Sequence, residues 1–584
     1  MRTFILALCI ALSTAAAHGQ DPNPLPTPTP FPVPTPLIPD AQLPAEPPPI
    51  APNFQAPMRP LPSSDRVGID LANQLSLSLE QAIELALRNN NDIDTSRNDV
   101  QIAEFNLRGA RGVYDPVIGS ESYYERATIP TASLIGGAVN GAVTQTRYFG
   151  NAGISGFTPW YGGVYSARFD SSRTTTSNTN SFLNPQFPTV LNVTYSQPLF
   201  RNFRTDNNRR LIEIARKNLS LSDAQFRQRA IDVISQVEQA YWDLAFALRN
   251  LQVQIDAVRQ ARVQLESNQR QVERGILAPI DVVAATAQIT TFEQGVYLAQ
   301  EDVTRTENVL KTLLLAERTA SEWNRPITPI SPISLDPPRV SLDNAVSDAL
   351  RNRPEITQLN TSAEINKINE EYFRDQTKPQ IDLVGSYTSQ GLAGTETPAA
   401  INPATGLSRV PPNLVGGYFS SLGNLLAQDY PTYRVGVTIS LPWGNTTAKA
   451  NLGRTLVEGM RIGNQRAQTE QVIEAEVRNA LQALRSAEAR LASAAAARAS
   501  AEQLLASEQR QFAAGTTTTY LVLQRQTELL AARSRELQAQ TDLNRAISSF
   551  QRATGTTLSA NNVTVSTSRD RSLTVTKGLS RLGK

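Results

Sequence analysis

A mainly helical fold with a small set of strands, built twice in one chain, is what this sequence predicts. Three observations predict it. Blocks of residues recur at a fixed offset on either side of a proline cluster. Large apolar residues repeat every seven positions over two long stretches. Short segments of apolar–polar alternation sit at equivalent points of the two halves.

The first residues predict an export signal over 1–19. Arg2 supplies the positive start, Phe4 to Leu12 the short apolar run, and Ala15-Ala16-Ala17 the small-residue cleavage site. That run is too short for a membrane helix, which needs about 20 apolar residues. No later segment reaches that length without charges, so an exported chain without a transmembrane helix is expected. Cys9 is the only cysteine, and Leu8 before it does not suit lipidation, which needs a small residue there. His18 is the only histidine and falls at the cleavage point. The exported chain therefore offers no disulfide, no thiolate or histidine metal site and no histidine-based catalysis. No carboxylate pair stands out from the helical background, so an exported hydrolase is a weak reading, and neither enzyme nor cofactor is expected. With 584 residues, 40% apolar and 18% charged, the chain is long enough for several packed units. Its net charge of +2 gives no general attraction to nucleic acid.

Residues 20–74 follow, dense in proline over 21–62, and predict an extended tether. The first half then spans 75–325, a proline-rich linker 326–339, and the second half 340–556. Ser78-Leu79-Glu80-Gln81-Ala82-Ile83 pairs with Ser341-Leu342-Asp343-Asn344-Ala345-Val346, each a serine cap before an apolar run. Leu87-Arg88-Asn89 pairs with Leu350-Arg351-Asn352, Pro116 with Pro379 and Tyr124 with Tyr387, so an internal duplication is expected.

After each of those prolines the helical period gives way to alternation. Ile381, Leu383, Gly385 and Tyr387 take one face of a strand. Leu191, Val193 and Tyr195 do the same before Pro198, as do Val435, Val437 and Ile439 before Pro442. Two main strands per half are expected, at about 117–126 and 190–198, and at about 380–389 and 432–441. Long Gly/Ser/Thr/Asn-rich stretches separate them. Within the first, Gly153 to Asp170 carries Phe157, Trp160, Tyr161, Tyr165 and Phe169, and reads as either an added hairpin or a strand extension.

Each half closes with a helical hairpin, about 201–317 and 446–554. Val237, Leu244, Leu251, Val258, Leu265 and Val272 form one heptad seam; Val477, Leu484, Leu491, Leu505 and Phe512 form the other. Arg498 interrupts the second seam, where its stem can lie along the apolar stripe with the charge lifted out. Ala240, Ala247 and Ala261, matched by Ala480, Ala487 and Ala501, let helix axes approach closely. Tyr241-Trp242 reads as helix packing, since no basic cluster accompanies it as a base-stacking platform would need. Arg274-Gly275-Ile276-Leu277-Ala278-Pro279 and Ala513-Ala514-Gly515-Thr516-Thr517-Thr518-Thr519 break the two hairpins. A basic tail ends the chain at 557–584.

Four strands cannot close a membrane barrel alone, so if they enter a membrane several chains must share one barrel. A soluble sandwich would show the same alternation. The combination of features, however, resembles the TolC-type outer membrane efflux protein family over about residues 76–556. The resemblance is carried by the Ser-Leu-Glu-Gln-Ala openings, the prolines at 116 and 379, Gln197-Pro198-Leu199-Phe200-Arg201-Asn202, Ala240-Tyr241-Trp242-Asp243-Leu244, and Arg274-Gly275 through Asp281-Val282. It implies a homotrimer with a twelve-stranded barrel in outer-membrane lipid above a long α-helical barrel in the periplasm. It also implies a passive exit duct fed by an inner-membrane pump through a periplasmic adaptor protein. Adaptor docking falls on Gly275, Ile276, Leu277, Asp281 and Val282 in the first tip and on Gly515, Thr516, Thr517 and Thr518 in the second. These residues also read simply as turn formers. Pro279 and the threonine run depart from the commoner tip patterns. Asp281 is the acidic candidate for a gate, although a first-turn carboxylate favoured by the helix dipole explains it equally. The contrasting reading is an exported, non-conducting coiled-coil scaffold. Drug efflux, metal efflux and type I protein secretion all fit such a duct.

Overall fold

The computed structural model describes residues 66–131, 136–138, 141–334, 336–565 and 573–575. The expected signal, the tether as far as residue 65, and 566–572 and 576–584 of the tail lie outside the described residues.

Strand β1 (Leu75–Leu77) leads into helices α1 (Leu79–Asn89) and α2 (Asn91–Arg111). Ser78 forms a capping box: its hydroxyl accepts from the Gln81 amide at 3.2 Å, and the Gln81 side chain accepts from the Ser78 amide at 2.9 Å. Asn90 ends α1 and caps α2, its side-chain oxygen accepting from the amides of Asp92 and Ile93. Strands β2 (Val117–Pro130), β3 (Ala142–Phe157), β4 (Val164–Thr176), β5 (Leu183–Gln186) and β6 (Thr189–Pro198) follow, then helices α3 (Asn207–Glu273) and α4 (Pro279–Leu314). Strand β7 (Ile327–Pro329) pairs in parallel with β1. The second half runs through α5 (Leu342–Asn352), α6 (Pro354–Gln376), β8 (Gln380–Gly391), β9 (Gly394–Glu396), α7 (Tyr418–Leu426), β10 (Tyr430–Ser440), α8 (Thr446–Ala513) and α9 (Thr519–Thr554). A short α10 (Thr557–Ala560) and an antiparallel pair of β11 (Val563–Val565) with β12 (Leu573–Val575) come last, where only a tail is expected from the sequence.

Helix lengths match between the halves: 67 residues in α3 and 68 in α8, 36 in both α4 and α9. The heptad residues lie inside. Val237, Leu244 and Val258 on α3 and Val477 and Leu484 on α8 are buried, as are Ala240, Ala247, Ala261 and Ala487. Close to the tips, Val258 and Ala261 pack with Phe292 and Val296, and Leu505 packs with Val522 and Leu529. Tyr241 is fully buried with its ring edge-on to Trp242. Its hydroxyl donates to the Leu77 carbonyl at 3.0 Å and accepts from the Ser331 amide at 2.9 Å, joining β1 and the linker to α3.

The sheet differs from the expectation of two strands per half. Among the described residues its long strands run β10–β8–β6–β4–β3–β2, each antiparallel to its neighbour, with β5 and β9 paired to one side. The four expected main strands are present as β2, β6, β8 and β10, and the first half adds two more, so the chain has six long strands. The stretch around Gly153–Asp170 is an added hairpin, β3–β4. Helix α7 lies against β6 and β8 through hydroxyls: Thr189 and Ser421 share a 2.9 Å bond, and Ser389 donates to the Leu425 carbonyl at 2.8 Å.

The tether is also shorter than expected. The Asp70 amide donates to the Asn324 carbonyl at 2.8 Å, and the Arg66 side chain is buried in an ion pair with Glu307. Residues 66–74, expected in the tether, are therefore packed against α4 and the segment before β7.

Candidate functional site: a two-faced sheet and two hairpin tips

Side chains alternate between the faces of a strand, and directly opposed residues on neighbouring strands share a face. The register therefore assigns each residue a side. Ile118, Ile154, Ala167, Val193, Tyr387 and Tyr433 form one row across all six long strands. Ile381 and Ile439 pair on the same face, as do Leu383 and Val437. Much of this apolar face stands open: Ile118 is 79% exposed and Val435 80%. The opposite face carries a polar cluster, beside which the Tyr123 and Phe149 rings stack at 4.8 Å. Arg168 donates to Asp170 at 2.6 Å and lies 4.0 Å from Glu121, to which Asn151 also donates. Asn192 donates to the Thr388 hydroxyl at 2.8 Å. Strands β2 and β10 are the sheet edges, each with one side unpaired.

The two tips share one backbone solution. Gly275 and Gly515 adopt φ of +73° and +74°, the left-handed conformation that ends a helix without a Cβ penalty. In the first tip the Gly275 amide donates to the Val272 carbonyl and the Ile276 amide to that of Gln271, both at 2.9 Å. In the second, Gly515 and Thr516 donate to Phe512 and Gln511, both at 3.0 Å. Pro279 then opens α4, where its missing N–H costs nothing.

The tips differ in chemistry. The first exposes Ile276, with Ile280 and Val283 beside it. The second exposes Thr516 and Tyr520 and leaves Thr517 half-buried, its hydroxyl bonded to Glu508. Leu277, Asp281 and Val282 are half-buried and Thr518 is exposed. Asp281 occupies the first turn of α4, where its amide donates to the Ala278 carbonyl at 3.0 Å. Away from the tips, Arg498 lifts its charge out of the seam onto Glu502 at 2.8 Å and Glu536 at 2.5 Å, while Arg533 reaches Glu502 from α9.

A family model described as outer membrane efflux protein matches residues 164–314 and 345–556, more than half of the chain. The chain belongs to the outer membrane efflux protein family. Solved structures agree in fold. The outer-membrane channel OprN is 17% identical over 86% of this chain and 98% of its own, with a TM-score of 0.55. The Campylobacter jejuni CmeC outer membrane channel is 16% identical over 82% and 85%, with a TM-score of 0.56. CusC is 18% identical over 87% and 99%, with a TM-score of 0.55. No curated protein matches the chain. As a member of this family the protein is an outer-membrane efflux channel with a large periplasmic helical portion. The first matched segment begins at Val164, so β4 lies inside it while β2 and β3 precede it. No helix among the described residues is long and apolar enough to cross a membrane.

Sequence reasoning missed the polar constellation of Glu121, Arg168 and Asp170, and the placing of Ile154 and Ala167 on the face of Ile118. The alternation of Tyr165, Ala167 and Phe169 with Ser166, Arg168 and Asp170 was the available signal.

Proposed function

We propose that the protein is the passive exit duct of a tripartite efflux pump or a type I secretion system. Three copies share one β-barrel in the outer membrane, and their helical hairpins, products of an internal duplication, line a tube through the periplasm. The observation that carries this reading is the sheet, with its open apolar face, its polar face and two unpaired edges. An unpaired edge in hydrocarbon leaves backbone N–H and C=O groups without partners, so the sheet must close against further copies. The apolar face then meets lipid and the polar face lines a wet lumen.

A periplasmic adaptor docks on the tips, on Gly275, Ile276, Leu277, Asp281 and Val282 and on Gly515, Thr516, Thr517 and Thr518. Asp281, in the first turn of α4, is the gate candidate. The duct makes and breaks no bond, and an inner-membrane pump supplies the energy. The test is the mass of the purified protein in detergent together with single-channel conductance in a planar bilayer. A trimer with discrete conductance is expected. A water-soluble monomer or dimer that stays silent after refolding would overturn the reading in favour of a coiled-coil scaffold.

A further inference from the structure

Over Gly150–Ile154 and Ala167–Asp170 the β3–β4 hairpin continues the two faces of the strands around it. The polar row Gly119, Gly153, Arg168, Asn192, Thr388 and Thr432 crosses the six strands without interruption, as the apolar row does one residue away. A one-residue slip of the hairpin would turn its Phe169 and Ile154 inward and its Arg168 outward. No such slip occurs. At 16 and 13 residues, β3 and β4 also exceed the roughly 9–11 residues that cross a bilayer.

The hairpin is anchored at its turn and stays paired at its far end. Its turn reaches the junction between sheet and helices, where the Tyr161 ring stacks on Phe203 at 4.7 Å and the Gln197 side chain donates to the Tyr161 carbonyl at 2.8 Å. At the far end the Ser177 amide donates to the Thr144 carbonyl, and the Ser177 hydroxyl accepts from the Thr144 amide, both at 2.9 Å.

We infer that this hairpin is part of the pore wall, so that each chain places six strands in the membrane and three chains close an eighteen-stranded barrel. This deepens the proposed function and rests on its trimeric barrel. In such an assembly β2 of one copy pairs with β10 of the next. Barrel diameter grows roughly in proportion to strand number, so the exit is about half again as wide as a twelve-stranded one. Any size limit on cargo then lies in the helical part.

Single cysteines test this, because Cys9 is the only native one and can be replaced by serine. Ala152→Cys and Ala167→Cys sample the apolar face of β3 and β4; Asn151→Cys and Ser166→Cys sample the polar face. Val193→Cys on β6 and Val437→Cys on β10 are controls. The purified full chain is labelled with a fluorophore, reconstituted in liposomes, and quenched either by nitroxide-bearing lipid or by aqueous iodide. The Ala152, Ala167, Val193 and Val437 positions are expected to be quenched mainly by lipid, and Asn151 and Ser166 mainly by iodide. If Ala152 and Ala167 resist lipid quenching while both controls respond, the hairpin is off the wall and the inference falls with the membrane barrel intact. If the controls resist as well, the membrane-barrel reading has failed and takes the inference with it. Mass in detergent completes the count. A trimer supports eighteen strands, whereas a dimer with the same quenching pattern closes only twelve and overturns it.

Discussion

Glu307 and Lys311 lie one turn apart on α4, and each side chain is 1% exposed. Glu307 accepts from Lys311 Nζ at 2.7 Å and from the Ile327 amide at 3.2 Å, and its other oxygen pairs with Arg66. Lys311 also donates to the Trp323 carbonyl at 2.7 Å. The cluster ties α4 to β7 and to the residues before β1. Glu307→Gln removes the anion and leaves Lys311 buried without a counter-charge, which costs about 3–5 kcal/mol. The double variant Glu307→Leu with Lys311→Met removes both buried charges of the helix. Arg66, 7% exposed, is then the only charge of the cluster to rehydrate. The double variant should therefore cost less than the single one. Denaturant unfolding in detergent, at one fixed protein concentration because assembly couples to stability, would be followed by helical circular dichroism and tryptophan emission. A single variant within about 1 kcal/mol of the parent, as a surface pair would give, would refute the reasoning. So would a double variant no better than the single.

Burial pushes the Glu238 carboxyl above its ordinary value of 4.5, while bonds from Ser548 and Asn561 pull it back. The folded chain thus holds a proton that the unfolded chain releases, so stability is lost as pH rises from about 4.5 through the raised folded value. Glu238→Gln should lose less stability than the parent as pH rises above about 4.5, measured as unfolding midpoints, and equal losses would count against this. Gly275→Ala and Gly515→Ala meet no atom within 4 Å, so the left-handed backbone alone sets their cost. That cost is about 1–2 kcal/mol each, and Asn at either site should recover part of it. Thermal melting checks both tips, and a neutral alanine at either one contradicts the shared geometry. Leu244→Ala empties a fully buried seam position and should cost about 2–5 kcal/mol, whereas Leu491→Ala, half-buried on α8, should cost clearly less. Paired denaturant curves decide the order.

Local periodicity made the long helices legible. Val237, Leu244 and Val258 announce a seam because each heptad repeats the same face, and Ser78 and Ser341 announce helix starts because a cap acts within four residues. Strand β3 was not legible as a wall strand. Gly150, Gly153 and Gly156 leave gaps in both of its faces, so the two-residue period has few side chains to show it. Helix α7 hid for another reason: the residues it buries include Ser421 and Asn424, which face hydroxyls and carbonyls rather than an apolar core. Arg498 showed its partner four residues on, at Glu502, but gave no sign of Glu536 on a different helix. The burial of Arg66 depends on a carboxylate 241 positions away, which no window along the chain can find. At the tips the turns were readable from glycine, but the proposed docking role depends on the surface of a second protein.

The near-equality of the helices constrains how this chain can change. The Gln288 side chain donates to the Thr527 hydroxyl at 3.2 Å, so the tenth residue of α4 meets the ninth of α9. With each residue rising about 1.5 Å, the two tips finish at nearly one height. A heptad inserted into α3 alone would leave its tip roughly 10 Å proud, with no matching turn on α4 to return the chain. Length is accordingly a joint property of four helices. It can be altered only by equal steps in α3, α4, α8 and α9 together, and a shortened or stretched version of this protein should be built in whole heptads applied to all four at once.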